Sequence, residues 1–175
     1  MNENTFTALL PNSLSSLFLV FFPVIMTSVE MINTKETPAI AIREKVKVSE
    51  IPAVMGRMFG EMYPHLGKDV RCVGPPFALY HSWEGEVMDM EVGFPIAGKG
   101  IEDGNIRTIK LPAVRAAMAM HIGPYDRLTD TYNIMIEWMK VNGYAPASFM
   151  WEEYLNSPQE VPPDKLMTRL YWPLL

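Results

Sequence analysis

One cysteine, three histidines and no cluster of basic residues leave little room for covalent, metal or nucleic-acid chemistry. A single thiol, Cys72, cannot close an internal disulfide and excludes a cysteine-rich metal site. His65, His81 and His121 stand far apart and show no ligand spacing such as HExxH, so no metal is expected. Lys and Arg number 15 against 20 acids, giving a net charge of −5. A phosphate-binding surface needs basic residues gathered together, so no nucleic-acid partner is expected. No Ser-His-Asp or Cys-His pattern, glycine-rich phosphate loop or nucleotide fingerprint is present, and no cofactor is expected. The apolar run Leu17–Met26 carries no charge but is only ten residues long. A membrane-spanning helix needs about 20 apolar residues, so stable membrane insertion is not expected either.

What is present reads as globular. Hydrophobic residues make up 49% and charged residues 20% of 175 positions. That is enough for one domain with a real core, or for two small halves packed together. Residues 1–36 are unlike the rest and are set apart as an apolar leader. Three readings stand open for them: a mis-called extension upstream of a start at Met26 or Met31, a targeting or membrane-touching segment through residues 14–26, or a folded element. The residues before the apolar run include Glu3 and no Lys or Arg, which is a poor match to a signal peptide. A cytoplasmic location is expected.

From Thr37 the pattern becomes regular. Ala39–Val46 reads as a strand, and Ser49 is placed to cap a helix that tolerates Pro52 in its first turn. Ile51, Val54, Met55, Met58, Phe59, Met62 and Tyr63 then recur at helical spacing, the mark of one apolar face. Phe77–Trp83 and Val87–Ile96 read as paired strands broken at Gly85. The same order follows again: a strand over Val114–His121, and a helix from about Tyr125 to Asn142 with Leu128, Tyr132, Met135 and Met139 on one stripe. Two further strands follow, over Phe149–Leu155 and Lys165–Leu174. Both halves end aromatic-Pro-aliphatic, Phe94-Pro95-Ile96 and Trp172-Pro173-Leu174. The fold class expected is α+β: a pseudo-symmetric tandem repeat of strand-helix-strand-strand units, about residues 37–97 and 107–175. Antiparallel sheets and a cleft between the halves would make residues 37–175 one domain.

The stretch Ser148–Leu155 carries two adjacent carboxylates in an aromatic strand. Side chains alternate faces along a strand, so Met150, Glu152 and Tyr154 share one side, and Phe149, Trp151, Glu153 and Leu155 the other. Whichever face is buried, one glutamate lies on it. A buried carboxylate must find partners or shift its pKa. Alternation alone leaves open which of the two it is.

The run His121-Ile122-Gly123-Pro124-Tyr125, with Tyr132, Trp138, Asn142-Gly143, Trp151–Leu155 and Thr168–Pro173, resembles the gyrase-inhibitor-like small-molecule-binding family. That family includes the effector-binding domain of multidrug-responsive bacterial transcription activators. Gly74-Pro75-Pro76-Phe77, Tyr80-His81 and Asp89–Pro95 fit it in the first half, so the likeness covers about Ala39 to Leu174. The sequence shows no helix-turn-helix pattern ahead of the domain, and a stand-alone member of the family is expected. The resemblance implies an aromatic pocket between the repeats and selects Glu152, two residues before Tyr154, as its carboxylate. The implied ligand is a hydrophobic or aromatic small molecule held by Tyr80, Tyr154 and Tyr171, with Trp151, Arg169, Phe59 and Trp138 as further candidates. Arg169 stands where the family commonly has a second acid. If it faced the cleft it would pair with Glu152 and weaken attraction for large cations. The alternative reading is a hydrolase of reactive small molecules, with Glu152 as general base and Tyr154 as proton donor. His81 and His121 read as structural. Oligomeric state is not legible.

Overall fold

The computed structural model describes residues 27–67 and 69–175. The chain in order is β1 (Val29–Asn33), β2 (Thr37–Lys47), α1 (Ile51–Met62), β3 (Val70–Cys72), β4 (Phe77–Glu84), β5 (Val87–Gly98), β6 (Arg107–Leu111), β7 (Arg115–Ile122), α2 (Leu128–Val141), β8 (Met150–Tyr154) and β9 (Met167–Pro173). The nine strands form one antiparallel sheet in the order β1-β7-β9-β8-β4-β5-β2-β6, with β3 added on the far end of β5. The fold is therefore mixed α and β, a mostly antiparallel sheet with two helices. The strand-helix-strand-strand order occurs twice, as β2-α1-β4-β5 and β7-α2-β8-β9. The strand order between β7 and β2 reads the same from either side of the central β4–β8 pair. The two half-sheets join through that pair, where Ala78 lies opposite Glu152 and Tyr80 opposite Met150.

Three strands were not legible in the sequence. β6 is a short run ending in Leu111 that, among the described residues, pairs only with β2. β3 has three residues. β1 falls inside the segment set apart as a leader, yet Val29–Asn33 pair with β7 from Ala119 to Arg115, so the folded domain begins before Thr37. Leu17–Met26 lie outside the described residues. Among the described residues no helix is long and apolar enough to cross a membrane.

Both helices lie on the same face of the sheet, and each carries two apolar seams. Met58 and Met62 of α1, with Met135 and Met139 of α2, are fully buried in the main core with Ile40, Ile42, Met90 and Leu170. A second seam on each helix faces sideways: Ile51, Met55 and Phe59 on α1, and Leu128, Tyr132 and Ile136 on α2. Residues four apart lie one above another on a helix face, which is why these line up. The single stripe expected on each helix is therefore shared between the sheet and a cleft. Ser49 makes no capping hydrogen bond: a 3₁₀ turn over Val48–Glu50 feeds α1, and Glu50 occupies the cap.

The other face of the sheet has its own smaller core. Phe77, Leu79, Trp151 and Tyr171 pack with Ala39, Ala41 and Leu111, and Ile32, Ile109 and Val114 rest against them. Thr34 donates to the Pro112 carbonyl across 2.7 Å, fastening the end of β1 to the β6–β7 connection.

Candidate functional site

Between α1 and α2, over β4 and β8, lies an open cleft of about 1520 Å³. Its floor carries Tyr80, Met150, Glu152 and Tyr154, one face of the central strand pair. Its walls are the sideways seams of the helices, with Phe94, Trp83, Met88 and Trp172 closing the floor's margins. The turn Pro75-Pro76 and the connection from Leu155 to Glu160 edge one end.

Glu152 is 2% exposed and sits among three phenols. Tyr154 donates to its Oε2 across 2.6 Å and Tyr80 donates to the same oxygen across 3.3 Å. Tyr132, reaching down from α2, donates to Oε1. Burial drives the carboxyl up from its ordinary 4.5 to about 7, and hydrogen bonds from Tyr154 and Tyr80 hold it back from rising further. Burial first, and then the Glu152 charge, push the Tyr80 and Tyr154 hydroxyls well above 10, so both remain protonated donors. Tyr125 stacks edge-on against Tyr154 with ring centroids 5.8 Å apart, and its hydroxyl is raised by the same two causes. Among the described residues no cationic side chain pairs with Glu152. A buried carboxylate held only by neutral donors keeps an unspent attraction for positive charge.

The position of α2 over this cage is fixed at its first turns. His121 is buried, and its Nε2 lies 3.1 Å from the Pro124 carbonyl, which can only accept. The Nε2–H therefore donates, and in the neutral ring Nδ1 accepts from the Thr131 hydroxyl across 2.8 Å. Thr131 precedes Tyr132, so one imidazole ties the end of β7 to the residue beside the cage.

Four of the residues singled out from sequence come together here: Glu152, Tyr154, Tyr80 and Phe59. Four do not. Trp151, Tyr171 and Arg169 lie on the opposite face of the sheet, because side chains alternate and Glu152 pairs with Leu170 rather than with Arg169 or Tyr171. There Trp151 and Tyr171 stack at 4.8 Å, and Arg169 and the Tyr171 hydroxyl both donate to Glu153, each across 3.0 Å. Burial raises the Glu153 carboxyl while Tyr171 and Arg169 lower it. Trp138 stacks on Tyr144 at 5.9 Å, away from the cleft. Arg169 does not face the cleft, and its partner is Glu153 instead of Glu152. An Arg169→Ala variant is expected to leave ligand affinity within about twofold of the unsubstituted protein by calorimetric titration, as its partner lies across the sheet.

Tyr132, Trp172 and Trp83 were not picked out as site residues. A signal for Tyr132 was present: a tyrosine in an apolar helical stripe has a hydroxyl that needs a partner once buried. Trp172 follows from the same one-residue alternation that removes Tyr171. His81 sits at an irregularity in the β4–β5 register and bonds Glu91 across 2.9 Å, outside the cleft. Among the described residues no group of His, Cys, Asp and Glu is arranged to hold a metal.

Comparison with known proteins agrees with this architecture. The C-terminal domain of EcmrR superposes with a TM-score of 0.77 at 22% identity, covering 86% of this chain and 99% of that one. SAV2435, solved with tetraphenylphosphonium bound, superposes at 0.62 with 12% identity, covering 85% and 94%. A hydrolase from Listeria innocua gives 0.61 at 14% identity, covering 84% and 91%. At such identities the likeness is one of fold. A search of curated proteins by sequence finds no match. The model of the GyrI-like small molecule binding domain matches residues 27–175, and the chain belongs to that family.

Proposed function

We propose that this protein holds an apolar or aromatic small molecule in the cleft between its helices, with Glu152 as the polar anchor. One observation carries the reading: a carboxylate 2% exposed, ringed by tyrosine hydroxyls and without a cationic partner among the described residues, in the floor of a mostly apolar cleft. Apolar walls supply affinity, and the few convergent polar groups supply orientation. A positively charged or hydrogen-bond-donating group on the ligand would meet Glu152, and its ring systems would meet Tyr125, Tyr154 and Trp172. Tetraphenylphosphonium, the molecule bound by SAV2435, is a suitable first probe of this chemistry. Titrating it against tryptophan fluorescence is expected to show saturable binding that weakens by about 10- to 100-fold in Glu152→Gln, the effect of losing one charge-assisted contact. Equal affinity in both proteins would remove Glu152 from the site.

The hydrolase reading has one observation in its favour: a carboxyl near 7 is suited to take a proton at neutral pH. Its lone pairs are largely committed, however. A carboxylate offers about four acceptor positions, and three hydroxyls already donate to this one. A water placed for attack would have to displace a tyrosine, so anchoring is favoured over general-base chemistry. Turnover of an ester or other electrophile that vanishes in Glu152→Gln while binding persists would reverse that preference.

A further inference from the structure

The cleft is much longer than its anchor. Glu152 lies opposite Ala78, and β4 runs on from there to Trp83, which pairs with Met88. β4 carries an extra residue at His81, so the span is read on its partner β5, where Val92 opposite Ala78 to Met88 is four residues, about 13 Å at ~3.3 Å each. Over that distance, once past Tyr80, whose hydroxyl is turned to Glu152 and Tyr154, the lining is apolar: Met150, Trp172, Ile136, Met88, Trp83 and Val48. Among the described residues the only charged groups lining the cleft are Glu152 and Glu160. Glu160 belongs to the connection after β8, at the opposite end, where it already accepts from the backbone and hydroxyl of Ser157. At the Trp83 end the trough runs out to solvent, with Val48, Trp83 and Ile136 exposed by 49%, 51% and 43%. Pockets for drug-sized ligands ordinarily measure about 300–1,000 Å³, against about 1520 Å³ here. A compact molecule seated on the tyrosine cage would leave the Trp83 trough wet.

We infer that the site is built for a linear amphiphile, with one ammonium head at Glu152 and an unbranched hydrocarbon tail laid over Met150 and Trp172 towards Trp83. This rests on the reading of Glu152 as anchor and adds the shape of the ligand to it. Methionine side chains in the floor adapt to a flexible tail without a fixed socket. Each methylene that leaves water for the trough strengthens binding by roughly fourfold. The gain ends where the tail passes Trp83 and re-enters solvent.

The test is a series of n-alkyltrimethylammonium salts, butyl through dodecyl, titrated below their micelle concentrations beside tetraphenylphosphonium. The affinity is expected to climb by roughly fourfold per methylene and then level off. In Ile136→Lys, a change at a half-exposed position in the tail's path, the slope is expected to flatten, and Val48→Lys repeats the test on a different element. Thermal melts establish that each variant is folded. Affinity independent of chain length while tetraphenylphosphonium binds would overturn the amphiphile and leave the anchor standing. A slope that survives in both folded lysine variants would also overturn it. Failure of every probe, tetraphenylphosphonium included, would sink the reading of the site itself.

Discussion

Replacing Glu152 with glutamine is expected to weaken ligand binding and, above neutral pH, to make the ligand-free protein more stable. The two effects have one cause. In the native state the Glu152 carboxyl titrates at about 7, against an ordinary 4.5, which the unfolded chain approaches. Below 4.5 both states hold the proton and the group is neutral to folding. As pH rises from 4.5 to 7 the unfolded chain releases its proton first. Ionisation therefore favours unfolding, and stability falls across that window. The difference of 2.5 units corresponds to about 3 kcal/mol, fully lost above pH 7. Glutamine cannot ionise, so the variant's stability curve should stay flat where that of the unsubstituted protein declines. Urea melts at several pH values between 4 and 8 measure this. The gain should fall short of the full figure, because an amide matches three donating hydroxyls less well than a carboxylate. Parallel declines in both proteins would show that Glu152 is not the group responsible. A functional site that costs stability in its empty state is common where a ligand supplies the missing partner.

The second large effect is structural. Gly93 of β5 lies between Ala41 of β2 and Phe77 of β4. A methyl group there would stand 2.3 Å from the Ile40 carbonyl oxygen and 2.6 Å from Cζ of Phe77. Phe77 is fully buried and the carbonyl is held in the sheet, so neither can step aside cheaply. Gly93→Ala is expected to cost about 3 kcal/mol or more, lowering Tm by roughly 6–12 °C for a chain of this size. A melt within about 2 °C of the unsubstituted protein would mean that the sheet opens there more easily than its packing implies. The clash is on the face away from the cleft, so protein that remains folded should bind its ligand normally.

How much of this could be read beforehand follows from what alternation and helical periodicity encode. The strand-helix-strand-strand order was legible in both halves, because the helices carry apolar residues at i, i+3 and i+4 and the long strands are bounded by Gly and Pro. The cleft floor was half legible. Period-two alternation put Met150, Glu152 and Tyr154 together, but selecting Glu152 over Glu153 needed the family resemblance. The register of β9 against β8 is set by contacts distant in sequence. Without it, Tyr171 and Arg169 read as cleft residues and Trp172 is passed over, and a one-residue shift exchanges every side chain between faces. β1 and β3 escaped because five and three residues carry too little pattern to stand out. Tyr132 needed the packing of α2 over the sheet, a relation that no local spacing states.

The most direct measurement is an infrared pH titration of the carboxyl stretch, taken as the difference between the unsubstituted protein and Glu152→Gln, with and without a saturating cationic ligand. A carboxyl titrating at about 7 in the empty protein, displaced to lower pH when the cleft is filled, is the expected result. A Glu152 that titrates in the ordinary carboxylate range, or whose titration is indifferent to the ligand, would contradict its role as the anchor.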